Sequence, residues 1–451
     1  MTEEIFKSEG KIKNNYFDGM HIRGRHLVLY AIIAMVYFFE QLDNMLLGFV
    51  APAVIKTFGI TAQLFAPAQS LYFIGMMLGG FCGGMISDRI GRRKTILYAL
   101  ILTSASCIIT GFTDNITTFT IFRTLTGFGV FCTTIVAITY VAEITPAKQR
   151  GKWEGICATF AFMATPAIGA VAAKVVPLGP EAWRYIFDVG ILGFVAAFFV
   201  YFLLDETPRW LVSKGRVAEA EAMVEKISGI AVDLSDQAKF EAERVKISVW
   251  QGLVSLVQGK YLGRTVLCFL IGFAQQAPSF ALLNWNNTLL QLNGIPAYES
   301  MMISTLGTIG MVVGTFISAW VGPLGGRKIP IGVSLLITSI MIMIYINVGS
   351  NFVLLATFLF LFQTASMCAA YCIYPYQAES FPTSVRNSAT GVINAGARLG
   401  TSGTLQIVPF LYAAGGFATF GTTIAIMSAV PGILVLLFGW RTGMAPLEEV
   451  S

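Results

Sequence analysis

Charge is scarce in this 451-residue chain. Asp, Glu, Lys and Arg together make up 12% of it, about half of the ~25% that a soluble globular domain carries. Histidine is scarcer still. His21 and His26 are the two in the sequence, both ahead of the first apolar run, so His-ligated metal centres and His-based triads have no residues to be built from inside the body. The seven cysteines, at 82, 107, 132, 157, 268, 368 and 372, lie in apolar stretches without paired or metal-type spacing and read as small buried hydrophobes. No Walker-type or dinucleotide glycine loop occurs, which removes ATP as the expected energy source. Residues 1–25 are polar and mixed in charge, unlike a cleavable signal peptide. No nucleophile–base pair or metal set stands out, so an enzyme is not expected, and neither is a metal or a cofactor.

What is abundant is apolar side chain, 55% of the residues, with a mean hydropathy of +0.70. Apolar runs occupy 27–54, 66–86, 95–113, 116–141, 153–176, 186–204, 264–292, 299–322, 329–348, 351–376, 387–412 and 416–439. Each is near or above the ~20 residues that a helix needs to cross hydrocarbon. The expected fold is an all-α membrane protein of twelve transmembrane helices in two six-helix halves. A segment 1–26 precedes a bundle over 27–204, a linker follows over 205–263, and a second bundle over 264–440 ends in a tail, 441–451. In the linker, Val217–Ile227 carries apolar residues at helical spacing among Glu219, Glu221, Glu225 and Lys226, the pattern of an amphipathic helix lying under the bundle.

The lysines and arginines are distributed unevenly. Of the 30, 25 fall in the termini, the linker and the loops on the same side. Three fall on the other side (Lys56, Lys174, Arg184), and Arg123 and Arg398 lie within spans. The positive-inside rule then puts both termini and the linker in the cytoplasm of a cell-membrane protein. The basic residues are scattered over loops, not gathered on a face, so the net charge of +5 is explained without nucleic acid.

Two loop signatures recur at nearly one offset. Gly91-Arg92-Arg93 after span 2 matches Gly326-Arg327-Lys328 after span 8, and Glu143…Pro146…Arg150 after span 4 matches Glu379…Pro382…Arg386 after span 10. Repeated halves with a site between them are a transporter architecture. Gly84-x-x-x-Asp88-Arg89-x-Gly91-Arg92-Arg93 resembles the loop signature of the major facilitator superfamily. Arg123-x-x-x-Gly127, Glu143…Pro146…Arg150-Gly151, Glu206-Thr207-Pro208-Arg209-Trp210-Leu211 and Glu379-x-Phe381-Pro382-x-x-x-Arg386 are similar to its sugar-porter branch and to the related organic-ion and metabolite–proton symporters. The resemblance covers essentially the whole chain. It implies a twelve-helix alternating-access carrier whose partners are a small-molecule substrate, protons and the lipid bilayer, with one chain as the working unit. Asp88, Arg89, Arg92, Arg93, Glu143, Arg150, Glu206, Arg209, Glu379 and Arg386 are the candidate cytoplasmic gate. Asp88 is expected to pair with arginines across the half interface, and Glu143/Arg150 and Glu379/Arg386 to form charge networks between helix ends. Pro323 stands where the second copy would carry the acid, which weakens that latch.

Ionisable residues at membrane depth are functional candidates by default. Asp43 lies roughly 24 Å along span 1 and Arg123 about 9 Å below the other edge of span 4, at 1.5 Å per residue. In a core of ~30 Å these depths coincide, so the two are expected to pair. Proton-coupled members of the resembled branch carry an acid in span 1 facing an arginine in span 4, which implies proton coupling here, with Glu40 one turn from Asp43 as a second acid. Arg398 lies about 16 Å deep in span 11, and spans 7 to 12 hold no acid at that depth. Its partner is Asp43 or Glu40 across the cavity, a backbone carbonyl, or an anionic substrate. Organic-anion members of related carriers have an arginine in similar surroundings, which favours a carboxylate cargo. Gln275, Gln276 and Asn284 in span 7, with Gln363 and Tyr371 in span 10, complete the candidate substrate site. Sugar porters also use a Gln-Gln pair and a later Asn in span 7. Span 5, however, lacks a glutamine over 160–173, and the tryptophan pattern of span 10 reads Tyr371-Cys372-Ile373-Tyr374-Pro375. The expected function is proton-coupled uptake of a small organic anion, with a sugar or polyol symporter as the alternative. A non-transporting receptor is disfavoured by membrane-depth charges that are costly to keep.

Overall fold

A computed structural model describes residues 16–243, 261–321, 324–381 and 386–442. Among these residues all regular structure is helical, without a strand. The first half runs Gly24–Phe58 (span 1), Ala62–Ile90 (span 2), Arg92–Gly111 (span 3), Ile116–Ile144 (span 4), then Arg150–Phe162 with Ala164–Val175 (span 5) and Gly190–Leu203 (span 6). The second runs Tyr261–Leu292 (span 7), Ala297–Val321 (span 8), Lys328–Tyr345 (span 9), Phe352–Glu379 (span 10) and Arg386–Phe438. That last helix is two spans joined at a break. Gly415 and Gly416 leave helical geometry, and Gly416 takes φ 64°, a left-handed backbone that glycine adopts without a Cβ clash. Spans 11 and 12 are therefore separate crossings with almost no loop between them. The helices outrun the apolar runs. Span 1, at 35 residues, is about 50 Å long, well beyond a ~30 Å hydrocarbon core, so it tilts or extends past the bilayer.

The duplication seen in the loops extends into the packing. Asn115 and Asn351 each accept the amide three residues on, at 2.9 and 3.1 Å, and so cap spans 4 and 10. Such a side-chain acceptor satisfies one of the orphan amides of a helix start. Gly75 and Gly79 let span 2 lie against the backbone of span 4 at Thr124 and Phe128; Gly310 and Gly314 let span 8 lie against span 10 at Phe360 and Thr364. A Cβ at any of the four would come within 2.0–2.4 Å of a carbonyl oxygen. Small residues four apart are how helices approach closely where lipid supplies no hydrophobic drive. Within each half, spans 1 and 5 pair, as do 2 and 4, and 3 and 6; their counterparts 7 and 11, 8 and 10, and 9 and 12 do the same. The halves meet along spans 1–7, 2–11 and 5–8.

The linker folds into helices Pro208–Ser213, Val217–Ser228 and Ser235–Glu243. Ala220, Val224 and Ile227 bury the apolar face of the middle one against the first half, and Lys226 donates to Asp205 at 2.6 Å. Residues 244–260 of the expected linker, the segment 1–15 and Pro323 lie outside the described residues.

Candidate functional site

The two ends of the half–half interface differ. At the end opposite the linker, span 7 is knitted to the first half. Asn287 Nδ2 donates to Gly48 O at 3.0 Å and Gln69 Nε2 to Asn284 O at 3.0 Å, while the hydroxyls of Ser70 and Ser402 share a hydrogen bond of 2.8 Å. Gly48 is required there, because a Cβ would stand 2.1 Å from Leu283 O. Trp285 and Gln69 are fully buried. A cavity of ≈ 10 Å³ survives in this region beside Met45, Asn286, Ser304 and Gln363, about the room for one water. At the linker end, charged residues pair within their own halves, and Tyr374 and Val392 stand 46% and 37% exposed. Among the described residues the halves are thus hydrogen-bonded together at the far end, while no ion pair joins them at the linker end.

Among the described residues, the charged loop residues pair within their own halves in this conformation. Asp88 pairs with Arg92 of its own half at 3.1 Å and is largely exposed. Glu143 is held by Arg92, at 3.0 and 3.2 Å, not by Arg150; Arg150 Nε has no partner. Glu379 is held by Arg327, at 2.9 and 3.0 Å; the Arg386 side chain lies outside the described residues. The physical reason is adjacency. Spans 2 and 4 pack side by side, so the arginine opening span 3 reaches the acid ending span 4, and the second half repeats this. Glu206 accepts the amides of Arg92, Arg93 and Thr207, at 2.9, 3.2 and 3.0 Å, and so serves the start of span 3. Burial pushes its carboxyl up, against the pull of those amides. Arg93 donates to Tyr201 O. Arg89 is exposed and Arg209 half-buried.

At membrane depth, Asp43 and Arg123 meet as their depths require. Arg123 Nη1 donates to Asp43 Oδ1 at 3.0 Å and Nη2 to Asp43 O at 3.3 Å. Both side chains are fully buried. Tyr72 OH donates to the other carboxylate oxygen at 3.3 Å, and its ring lies 4.6 Å from the guanidinium carbon. Glu40 is also buried, yet meets a single hydroxyl: Thr134 donates to Oε2 at 2.8 Å, and Oε1 has no partner.

Arg398 finds neither carboxylate nor carbonyl. Its guanidinium carbon lies 3.6 Å from the centre of the Phe131 ring, in the other half, Nη1 approaches Met76 Sδ at 3.8 Å, and Nε is without a partner. Gln275 Nε2 donates to Ser366 at 3.4 Å, and Gln363 accepts from Ser279 at 3.2 Å. Gln276 Oε1 is buried without a donor. Asn284 stands at the closed seam, its Nδ2 bonded to Phe280 O at 2.9 Å. Tyr371 meets Phe162 of span 5 across the halves, with ring centroids 6.3 Å apart.

Sequence reasoning passed over Glu154. Tyr37 OH donates to its Oε1 at 3.1 Å. The sequence signal for Glu154 was its place a turn inside span 5, where an acid next to Trp153 reads as loop charge.

A family model of the Major Facilitator Superfamily matches residues 33–404. The chain belongs to that superfamily. It is 28% identical over 437 residues to YyaJ of Bacillus subtilis, described as a metabolite transport protein, covering 95% of each chain. To the niacin transporter NiaP of Acinetobacter baylyi it is 24% identical, over 94% of this chain and 96% of that one. Its fold matches the xylose transporter XylE from E. coli in a partially occluded inward-open conformation. The TM-score is 0.75 and the identity 18%, covering 93% of this chain and 99% of the other. The protein is accordingly a multi-pass membrane transporter of this superfamily, not an enzyme.

Proposed function

We propose that the protein is a proton-coupled uptake carrier for a small organic anion, an aromatic or short carboxylate, working by alternating access as a single chain. The observation that carries this reading is Arg398, a cation between the halves with a ring and a sulfur for company. An isolated charge away from water is costly, and a bound carboxylate would compensate it with a charge-assisted hydrogen bond. Gln275, Gln276, Gln363 and Tyr371 would orient the rest of the cargo, and Asn284 would join them once the far seam opens. On the charge distribution, the linker end and both termini would lie in the cytoplasm, and this conformation, hydrogen-bonded across the halves at its far end, would be the inward-facing one in the cell membrane.

Asp43 would carry the coupled proton. While Arg123 holds it, the carboxylate is compensated; when the seam opens and the guanidinium shifts, an uncompensated buried carboxylate takes a proton. A proton gradient then biases the conformational equilibrium. Glu40 is a second acid on the same helix face. The linker-end pairs, from Asp88 to Arg386, would exchange partners when that end closes.

In proteoliposomes with an imposed proton gradient, carboxylate accumulation should be abolished by Arg398→Ala. Asp43→Asn should lose accumulation yet keep exchange. Undiminished accumulation by both variants would end this reading. The buried acceptor Gln276 Oε1 favours a second reading, a sugar or polyol whose hydroxyl would satisfy it. In that case Arg398→Ala would only reduce transport.

A further inference from the structure

On the half that Arg398 faces, spans 1 and 5 carry acid without base. Glu40 and Glu154 each receive one hydroxyl, from Thr134 at 2.8 Å and Tyr37 at 3.1 Å, and neither makes an ion pair among the described residues. Glu40 is 4% exposed with Oε1 unpartnered. The two acids are joined through span 1: Tyr37, which holds Glu154, lies one turn from Glu40. Thr134, which holds Glu40, lies one turn from Phe131 on span 4, the ring under Arg398. Across the halves, Tyr371 meets Phe162 of span 5, two turns from Glu154, with ring centroids 6.3 Å apart, and Tyr374 with ring centroids 6.4 Å apart. The lone cation and the acids thus flank one stretch of spans 1, 4 and 5, faced across the halves by a pair of tyrosine rings.

We propose that the cargo is dipolar: a small carboxylate that also carries a protonated or hydrogen-donating nitrogen, with its carboxylate at Arg398 and its nitrogen at the Glu154–Tyr37 pole, beside the free oxygen of Glu40. This rests on the reading of Arg398 as the anion site and narrows the substrate class. A cation without an acid and acids without a base, among the described residues, are compensated together by one zwitterion. A plain carboxylate leaves the acidic pole uncompensated.

Matched ligands separate the alternatives. Binding of cyclohexanecarboxylate, piperidine-4-carboxylate and piperidine, and of benzoate and 4-(aminomethyl)benzoate, is measured by thermal shift and calorimetry on the purified full-length protein. Each amino-carboxylate should bind at least tenfold more tightly than its nitrogen-free partner. Glu154→Gln should erase that margin while leaving cyclohexanecarboxylate and benzoate unchanged or tighter, and Glu154→Asp should keep part of it. Equal affinities within both pairs in the wild type, a margin that survives Glu154→Gln, or binding of none of the five would overturn the proposal. Carboxylates that bind without a margin would overturn it and leave the anion reading standing. Piperidine binding without either carboxylate would overturn both.

Discussion

Arg123 is met by an acid, a backbone carbonyl and a tyrosine ring, whereas Arg398 is met by a phenylalanine ring and a sulfur. Both are arginines at membrane depth, Arg123 fully buried and Arg398 half-buried. The first is compensated inside its own half, in a place sealed from the chamber. The second projects from one half onto the other, where a ring returns only about 0.5–2 kcal/mol. A chain that needed only stability would have no reason to keep the second. The contrast separates a charge that is part of the fold from one whose partner comes from outside, and it can be broken by exchanging their behaviour.

The largest effect should come from breaking the compensated pair. Arg123→Leu leaves Asp43 buried without its cation, a situation that costs about 3–5 kcal/mol. Thermal unfolding in detergent should show a marked loss, and the double variant with Asp43→Asn should recover part of it. An unchanged unfolding temperature for Arg123→Leu would erase the distinction between the two arginines.

Arg398→Ala should give the opposite signature. Carboxylate binding should weaken by roughly 10- to 150-fold, the equivalent of a hydrogen bond to a charged group at about 1.5–3 kcal/mol. The unfolding temperature without ligand should hold or rise, since an uncompensated charge is gone. A fall as large as that of Arg123→Leu would make Arg398 a structural tether.

How much of this was legible in the sequence depended on whether one dimension sufficed. The meeting of Asp43 and Arg123 follows from counting residues along two antiparallel helices, because rise per residue is fixed. Loop motifs marked the two halves for the same reason. The partners of Glu143 and Glu379 were not legible. The arginine seven residues on is near in sequence, but the ion pairs join neighbouring helix ends whose adjacency is a property of packing. Phe131 under Arg398 was invisible, as nothing distinguishes one phenylalanine in an apolar run from the next. Asn284 reads as a substrate group, yet it stands at the closed seam with its amide nitrogen spent on Phe280 O.

The closed seam offers the next test. Gly48→Ala places a methyl carbon against Leu283 O, and backbone cannot yield as a side chain does. The far end should open, with a population shift of about tenfold per 1.4 kcal/mol of clash. A single cysteine at Ser70, in a background with the native cysteines replaced, should then react with maleimide at least several-fold faster from the far side. Unchanged labelling would mean that the halves separate elsewhere.

The smallest effects concern the linker-end pairs, where the halves are alike in sequence yet differ in burial. Glu143 and Arg92 are 6% and 11% exposed, against 21% and 23% for Glu379 and Arg327. Exposure lets water and salt screen a pair, so the second ranks with surface ion pairs worth about 0–1 kcal/mol. Removing one partner of the first leaves a more desolvated group unsatisfied, at about 1–3 kcal/mol. Glu143→Gln should therefore lower the unfolding temperature more than Glu379→Gln does, and raising the salt concentration should shrink only the second effect. Equal losses would imply that Arg327–Glu379 is dehydrated by something other than its own half, namely by closure of the linker end in the resting population.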